Sequence, residues 1–297
     1  MKILVTGGSG MVGKHLKELL PDAFYVGSKD YDLTIPFGVR SMFSTYEPDV
    51  VIHLAAKVGG IQDNIANPLE FLESNLVMNT NVVTEAQKHR VKKFIGIGST
   101  CVYPDQLPDD SYPLTEDLLH AGPPTPTNFG YGYAKRMLAV HLETIRKARG
   151  FDYFTIFPSN LYSEYDHFDD DTKAHFVTAL LKKIKTSKDG MVNLFGSGKP
   201  LRQFIHTEDL AKIIVGCLER DIKTDFNVCC DESPSIMEIA QTALTATNNK
   251  HLRLAFDVSK PDGQFRKDCS NKKMRELFPH FKFLSLEEGL RRVYNSL

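Results

Sequence analysis

The sequence predicts an α/β fold: a doubly wound parallel sheet carrying a smaller α/β appendage. Three observations predict it. Short apolar runs recur at residues 2–6, 24–27, 50–56, 94–97 and 152–157, with the length and apolarity of strands covered on both faces. Helical patterns separate them, the longest over residues 68–86 and from Asn128 past Ile145, and such alternation is the signature of a parallel sheet with helical crossovers. The first run passes at once into a glycine-spaced turn, and the fourth stops abruptly in a hydroxyl, a hydroxyl and a thiol at Ser99, Thr100 and Cys101.

The first run, Lys2-Ile3-Leu4-Val5-Thr6, is followed by Gly7-Gly8-Ser9-Gly10-Met11-Val12-Gly13 and then by a helical pattern through Leu20. Gly7, Gly10 and Gly13 are spaced G-x-x-G-x-x-G. Gly7 permits a tight turn, Gly10 lets backbone approach a pyrophosphate, and Gly13 lets helix pack on strand. A glycine motif alone is weak, but a strand before it and a helix after it are the context that marks a dinucleotide site. This is the Rossmann arrangement. After the second run, where an NAD site places an acid on the ribose, stand Ser28 and Lys29. A hydroxyl and an ammonium suit a 2′-phosphate and favour NADP(H), although Asp30 and Asp32 lie close by. Asp32 and Leu33 continue that edge of the expected cofactor site. The third run ends at Leu54, Ala55 and Ala56, small enough for a cofactor to lie against backbone. Asn75 and Asn79 share one face of the following helix; they are either buried and satisfied or bonded to cofactor.

In open α/β sheets, ligands bind beyond the carboxyl ends of the strands. Ile97, Gly98 and the Ser99-Thr100-Cys101 sequence therefore sit where chemistry would occur. Alone they also read as a turn in which hydroxyls bond backbone and the thiol packs as a small apolar group. A long Pro- and Asp-rich loop, residues 105–128, comes next, and loops of that length in compact domains are usually functional or mobile. Beyond it Tyr131 and Lys135 lie four apart on a helix and point the same way. An adjacent ammonium favours a phenolate, so Lys135 is expected to lower the Tyr131 value from about 10.

Composition limits the function. With 42% hydrophobic and 25% charged residues in 297, the chain is an ordinary globular protein able to bury a large core. A net charge of −1 leaves no electrostatic footprint for nucleic acid. Five scattered cysteines form no C-x-x-C pair and read as reduced thiols of a cytoplasmic protein. Met1-Lys2 leads directly into a strand-like run, which leaves no room for a signal peptide, and no apolar stretch is long enough to cross a bilayer. No membrane partner is expected.

The G-x-x-G-x-x-G turn, Ser99, Tyr131 and Lys135 together resemble the extended short-chain dehydrogenase/reductase superfamily over essentially the whole chain. Within it, Gly98-Ser99-Thr100-Cys101-Val102-Tyr103-Pro104, Asn128-Phe129-Gly130-Tyr131, Phe195-Gly196-Ser197-Gly198 with Arg202-Gln203-Phe204, and Lys260-Pro261-Asp262-Gly263-Gln264 resemble the GDP-4-keto-6-deoxymannose 3,5-epimerase/4-reductase family. The cysteine argues against the sugar-nucleotide dehydratases, which carry Thr-Asp-Glu there. The resemblance implies an NADP(H) cofactor, a nucleotide-sugar substrate and a homodimer joined through the helices bearing Asn75 and Tyr131. It implies a catalytic set of Ser99, Cys101, Tyr131, Lys135 and His175. It places Pro158, Ser159, Asn160 and Leu161, with His175, beside the nicotinamide, and it assigns Lys183, Phe195, Arg202 and Asp262 to the substrate. Lys183 also reads as a solvated lysine on an amphipathic helix. The expected division is a cofactor domain of residues 1–162, joined by 203–230, and a substrate domain of 163–202 and 231–297. The acidic stretch 166–171 reads as a solvated lid edge without metal-ligand spacing. One departure stands out: Ser163-Glu164 replaces the family's Gly-Pro.

Overall fold

Every apolar run becomes a strand. The computed structural model describes residues 1–166, 168, 175–260 and 262–297, apart from the side chains of 61 and 62. In chain order the first half contains β1 (Ile3–Thr6), α1 (Met11–Leu19), β2 (Phe24–Val26), α2 (Pro36–Tyr46), β3 (Val50–His53), α3 (Ile61–Ala66), α4 (Pro68–Lys88), β4 (Lys93–Ile97), α5 (Phe129–Arg149) and β5 (Asp152–Pro158). The second half contains β6 (Asn160–Tyr162), α6 (Phe176–Thr186), β7 (Met191–Phe195), β8 (Phe204–His206), α7 (Thr207–Leu218), β9 (Phe226–Val228), α8 (Ile236–Ala246), β10 (Arg253–Asp257), α9 (Lys272–Leu277) and α10 (Leu286–Ser296).

The main sheet is parallel throughout, in the order β2-β1-β3-β4-β5-β9. Successive strand residues face opposite sides of a sheet, so each run feeds two cores. Val5, Ile52, Ile95 and Phe154 pack with Leu210 and Ile214 of α7. Leu4, Val51, Phe94 and Tyr153 pack with Phe43 of α2, Val82 and Val83 of α4, and Leu138 and Leu142 of α5. That two-sided demand is why the runs lack polar alternation. The chain leaves β1 for β2 on one side and returns to β3 on the other, so the strand order reverses between β1 and β3, where doubly wound sheets open a ligand crevice.

A third apolar cluster gathers Val177, Leu180 and Leu181 of α6, Val192 and Leu194 of β7, Ile239 and Ala243 of α8, and Leu290 and Val293 of α10. Two short parallel pairs, β7 with β10 and β6 with β8, lie in this half. Met274 and Phe278, in and just beyond α9, are instead buried with the main-sheet core.

The 105–128 loop is anchored. Pro104 bridges Pro124, and Leu114 bridges Cys269, with Leu114 N donating to Asp268 O at 2.8 Å and Ser270 N to Leu114 O at 2.8 Å. Gln264 Nε2 donates to Asp105 O at 2.9 Å. A buried cluster of Val102, Tyr103, Leu114, Leu119, Phe157 and Cys269 lies beneath it. Asn75 and Asn79 are buried and satisfied: Asn75 bonds both backbone groups of Lys57, and Asn79 Oδ1 accepts from His53 Nε2 at 3.0 Å.

Candidate active site

The dinucleotide turn lies at the switch point. Gly7 has φ of +72°, and a Cβ there would come within 2.6 Å of Ala55 N. A Cβ on Gly13 would come within 2.4 Å of Gly8 O. Gly8, Ser9, Gly10, Met11 and Val12 complete the turn into α1, which has no capping side chain and no acid in its first turn. Its N-terminal N–H groups and dipole are thus left for an external anion. Leu54, Ala55 and Ala56 are half-buried against this turn. Beyond β2, Ser28 and Lys29 are exposed. The nearby acids are engaged locally: Asp30 accepts the N–H of Gly27 at 2.8 Å, and exposed Asp32 accepts from Thr34 N and its hydroxyl. The Leu33 side chain packs into the core.

The chain turns out of β4 because Ser99 Oγ accepts the N–H of Cys101 at 3.2 Å, starting one turn of 3-10 helix over Thr100–Val102. Thr100 is buried, whereas Ser99 and Cys101 remain partly accessible. Helix α5 lies directly on this turn. A Cβ at Gly132 would stand 2.6 Å from Cys101 O, so only glycine permits the approach. Lys135 Nζ then donates to Ile97 O at 2.7 Å, and Arg136 Nε to Val102 O at 3.0 Å. Gly98 is equally constrained, its Cβ position lying 2.5 Å from Phe157. Ser99, Cys101 and Tyr131 lie close enough to act on one another, and Lys135, one helical turn beyond Tyr131, bonds the end of β4.

The electrostatics differ from the sequence expectation. Burial raises the Tyr131 phenol well above its usual value, negative charge on Cys101 raises it further, and hydrogen bonding with Ser99 works the other way. Lys135 does not depress it: the ammonium is turned to the Ile97 carbonyl, and burial lowers its own value to about 8. Cys101 behaves oppositely. Burial alone would raise the thiol, but the Lys267 ammonium and hydrogen bonds from Ser99, Lys267 and Asn128 hold it below its ordinary value.

His175, at the N-terminus of α6, is half-buried and set by Asp166: Nδ1 lies 3.0 Å from Oδ1, and the His175 N–H donates to Oδ2 at 3.3 Å. Asp166 also accepts from the Thr178 hydroxyl. The Asp166 carboxylate is fully buried rather than at a solvated edge; residues 167 and 169–171 of that acidic stretch lie outside the described residues. At the end of β5, Pro158 and Ser159 are buried, Asn160 bonds Gln203 O, and Leu161 is half-buried. The Ser159 hydroxyl is a buried group without a hydrogen-bond partner among the described residues.

A second grouping contains the expected substrate residues. Phe195 is 67% exposed, and Lys183 Nζ sits 5.3 Å from its ring centroid while donating to Asn193 O at 2.9 Å. Asp262 fastens the adjoining glycine turn, accepting from Ser197 N at 2.5 Å and Ser197 Oγ at 2.8 Å. Arg202 is held by the carbonyls of Leu201 and Gln264 at 2.7 and 2.6 Å. Burial lowers its value, and the charges of Cys101 and Asp262 oppose that.

Ser163 and Glu164 build a polar cluster. The Glu164 carboxylate lies 2.9 Å from His206 Nε2 and 3.8 Å from His15 Nε2, with Ser163 Oγ 3.4 Å from His15. His206 Nδ1 accepts the N–H of Glu208, so Nε2 carries the proton and donates to Glu164. A metal ion on Nε2 would displace that proton.

Asp166, Asn128 and Lys267 were not legible as site residues. Asp166 sits in an acidic run, Asn128 at a helix entrance, and Lys267 in a polar tail segment; only contacts across the fold single them out.

A model of the NAD dependent epimerase/dehydratase family matches residues 3–229. The chain belongs to this family. It is 36% identical over 308 residues to the probable GDP-L-fucose synthase of Drosophila melanogaster, a match covering 97% of this chain and 94% of that protein. It is 34% identical over 303 residues to the GDP-L-colitose synthase of Yersinia pseudotuberculosis, covering 99% and 96%. A crystal structure of a GDP-L-fucose synthetase from Naegleria fowleri bound to NADP superposes with a TM-score of 0.86 at 33% identity, covering 99% of this chain and 92% of that one. All three names carry a GDP-L-sugar.

Proposed function

We propose that this protein converts GDP-4-keto-6-deoxy-D-mannose to GDP-L-fucose, as a 3,5-epimerase and NADPH-dependent 4-reductase. The observation that carries the reading is Cys101: a partly accessible thiol, held below its ordinary value, beside Ser99 and Tyr131. A reductase without epimerisation has no use for such a base. The named relatives, whose products are GDP-L-sugars, support the same reading.

The cofactor fits the residues present. Gly7–Gly13 and the uncapped start of α1 receive the pyrophosphate, and Ser28 and Lys29, with Asp30 and Asp32 engaged elsewhere, suit a 2′-phosphate. Pro158–Leu161 and Lys135 hold the nicotinamide ribose end. When bound, NADPH supplies hydride to C4 of the sugar. Cys101 as thiolate takes the protons that the 4-keto group acidifies at C3 and C5, and His175, oriented by Asp166, returns a proton from the opposite face. Ser99 polarises the C4 oxygen. Tyr131, kept protonated by burial and by the Cys101 charge, gives its proton to the alkoxide. Lys183, Phe195, Arg202 and Asp262 serve the GDP moiety, with a cofactor domain of 1–162 and 203–230 and a substrate domain of 163–202 and 231–297. Exposed Leu69 and Val77 on α4 and Phe129 and Met137 on α5 support a homodimer through those helices, and a monomeric mass in sedimentation equilibrium would sink that assembly. The five unpaired thiols support a reducing, cytoplasmic location.

Incubation with NADPH and the keto-sugar in deuterated water tests the function. The expected product, assigned by NMR, is GDP-L-fucose carrying deuterium at C3 and C5. Failure to oxidise NADPH, or reduction without that deuterium, refutes it.

A further inference from the structure

We propose that Lys267 is the counter-ion that keeps Cys101 as a thiolate, with Asn128 fixing the sulfur. Lys267 Nζ lies 3.1 Å from Cys101 Sγ, and Asn128 Nδ2 donates to the same sulfur at 3.1 Å. The two donors come from opposite directions in the chain. Asn128 closes the loop that enters α5, and Lys267 belongs to the segment that Gln264, Asp268 and Ser270 stitch across that loop. Among the described residues, Arg202, Tyr131 and Cys269 are the other titratable groups that act on the sulfur. Two of these favour a protonated sulfur as soon as they carry negative charge. Arg202 is tied to the Leu201 and Gln264 carbonyls, so Lys267 supplies the direct contact.

An ammonium at hydrogen-bond distance from a partly accessible sulfur favours the anion through both Coulomb attraction and a charge-assisted hydrogen bond. The proton balance is simple. Ionisation sends the thiol proton to solvent. During epimerisation a carbon–hydrogen bond breaks, an S–H bond forms, and the electron pair enters the enolate of the C4 ketone. Lys267 keeps its protons throughout, which makes it a positioning residue. The assignment rests on Cys101 being the base of the proposed reaction, and the experiment separates the two.

In the ligand-free, full-length protein, iodoacetamide labelling of Cys101 is followed by peptide mass spectrometry across the pH range. The wild-type midpoint is expected below the free-thiol value of about 8.5. Lys267→Met raises it by roughly one unit or more, so labelling at neutral pH slows about tenfold. Lys267→Arg restores it, and Asn128→Asp, which leaves Lys267 in place, raises it by adding a neighbouring negative charge. Thermal melting verifies that each variant is folded. An unchanged midpoint in Lys267→Met overturns the assignment, including the case in which that variant only raises KM, as a pure phosphate ligand would. A moved midpoint with unaltered deuterium uptake at C3 and C5 upholds Lys267 as counter-ion and refutes Cys101 as the base.

Discussion

At the scale of single residues, the site divides its titratable groups by environment. Tyr131 and Cys101 are neighbours on one turn and one helix, yet burial wins for the phenol and the ammonium of Lys267 wins for the thiol. Pairs pushed apart in this way can hold an acid and a base ready at one pH. Tyr131→Phe is therefore expected to slow NADPH oxidation by about 10²- to 10⁴-fold, the usual weight of a general acid, while proton exchange at C3 and C5 persists; separate absorbance and NMR assays check this. Equal loss of both would mean the phenol serves the whole pocket. Ser99, Cys101, Tyr131 and Lys135 were legible because strand-end position and four-residue spacing are local properties. The direction of the Tyr131 shift was not, because it depends on burial and on where the Lys135 ammonium points. Lys267 was illegible for the same reason: its partner is 166 residues away.

At the scale of elements, the strands of the main sheet were legible to within a few residues, since a strand buried on both faces must be apolar without interruption; the short strands β6, β7 and β8 carry no such run and were not legible. The contact of α5 with the Cys101 turn was not. Gly132 looks like any helix glycine, costing roughly 1 kcal/mol against alanine in an open helix. Here a methyl group would meet the Cys101 carbonyl at 2.6 Å and Pro124 at 2.8 Å, backbone and a rigid ring that do not yield. Gly132→Ala is expected to lower Tm instead of raising it, and to reduce turnover by shifting Tyr131 and Lys135 against Ser99. Melting curves and kcat measured together check both parts; a stabilised, fully active variant would contradict the packing described.

At the scale of the molecule, Glu164 ties three segments together: α1 through His15, the end of β6, and the start of α7 through His206. The neighbouring imidazoles of His15 and His206, the latter at hydrogen-bond distance, hold its carboxyl well below the usual carboxylate range. A depressed folded value contributes stability that is complete above the unfolded value, 4.5, and is lost as pH falls below it. Glu164→Gln is expected to cost about 1–3 kcal/mol near neutral pH and to flatten the decline in stability between about pH 5 and pH 3. Denaturant unfolding of both proteins across that range checks it; parallel curves would remove the carboxylate from the pH response. The sequence revealed the Ser163-Glu164 departure, but not that His15 and His206 converge on it.

The stitching of residues 264–270 across the 105–128 loop has a consequence for assembly. Contacts that span most of the chain close late, because loop entropy must be overcome before they form. The sheet, the glycine turn and the Tyr131 helix all precede that segment, so a cofactor pocket can exist in a chain whose Cys101 is still an ordinary thiol. Completion of the last stretch then supplies the counter-ion, so the thiol becomes a competent base only once residues 264–270 have docked on the loop.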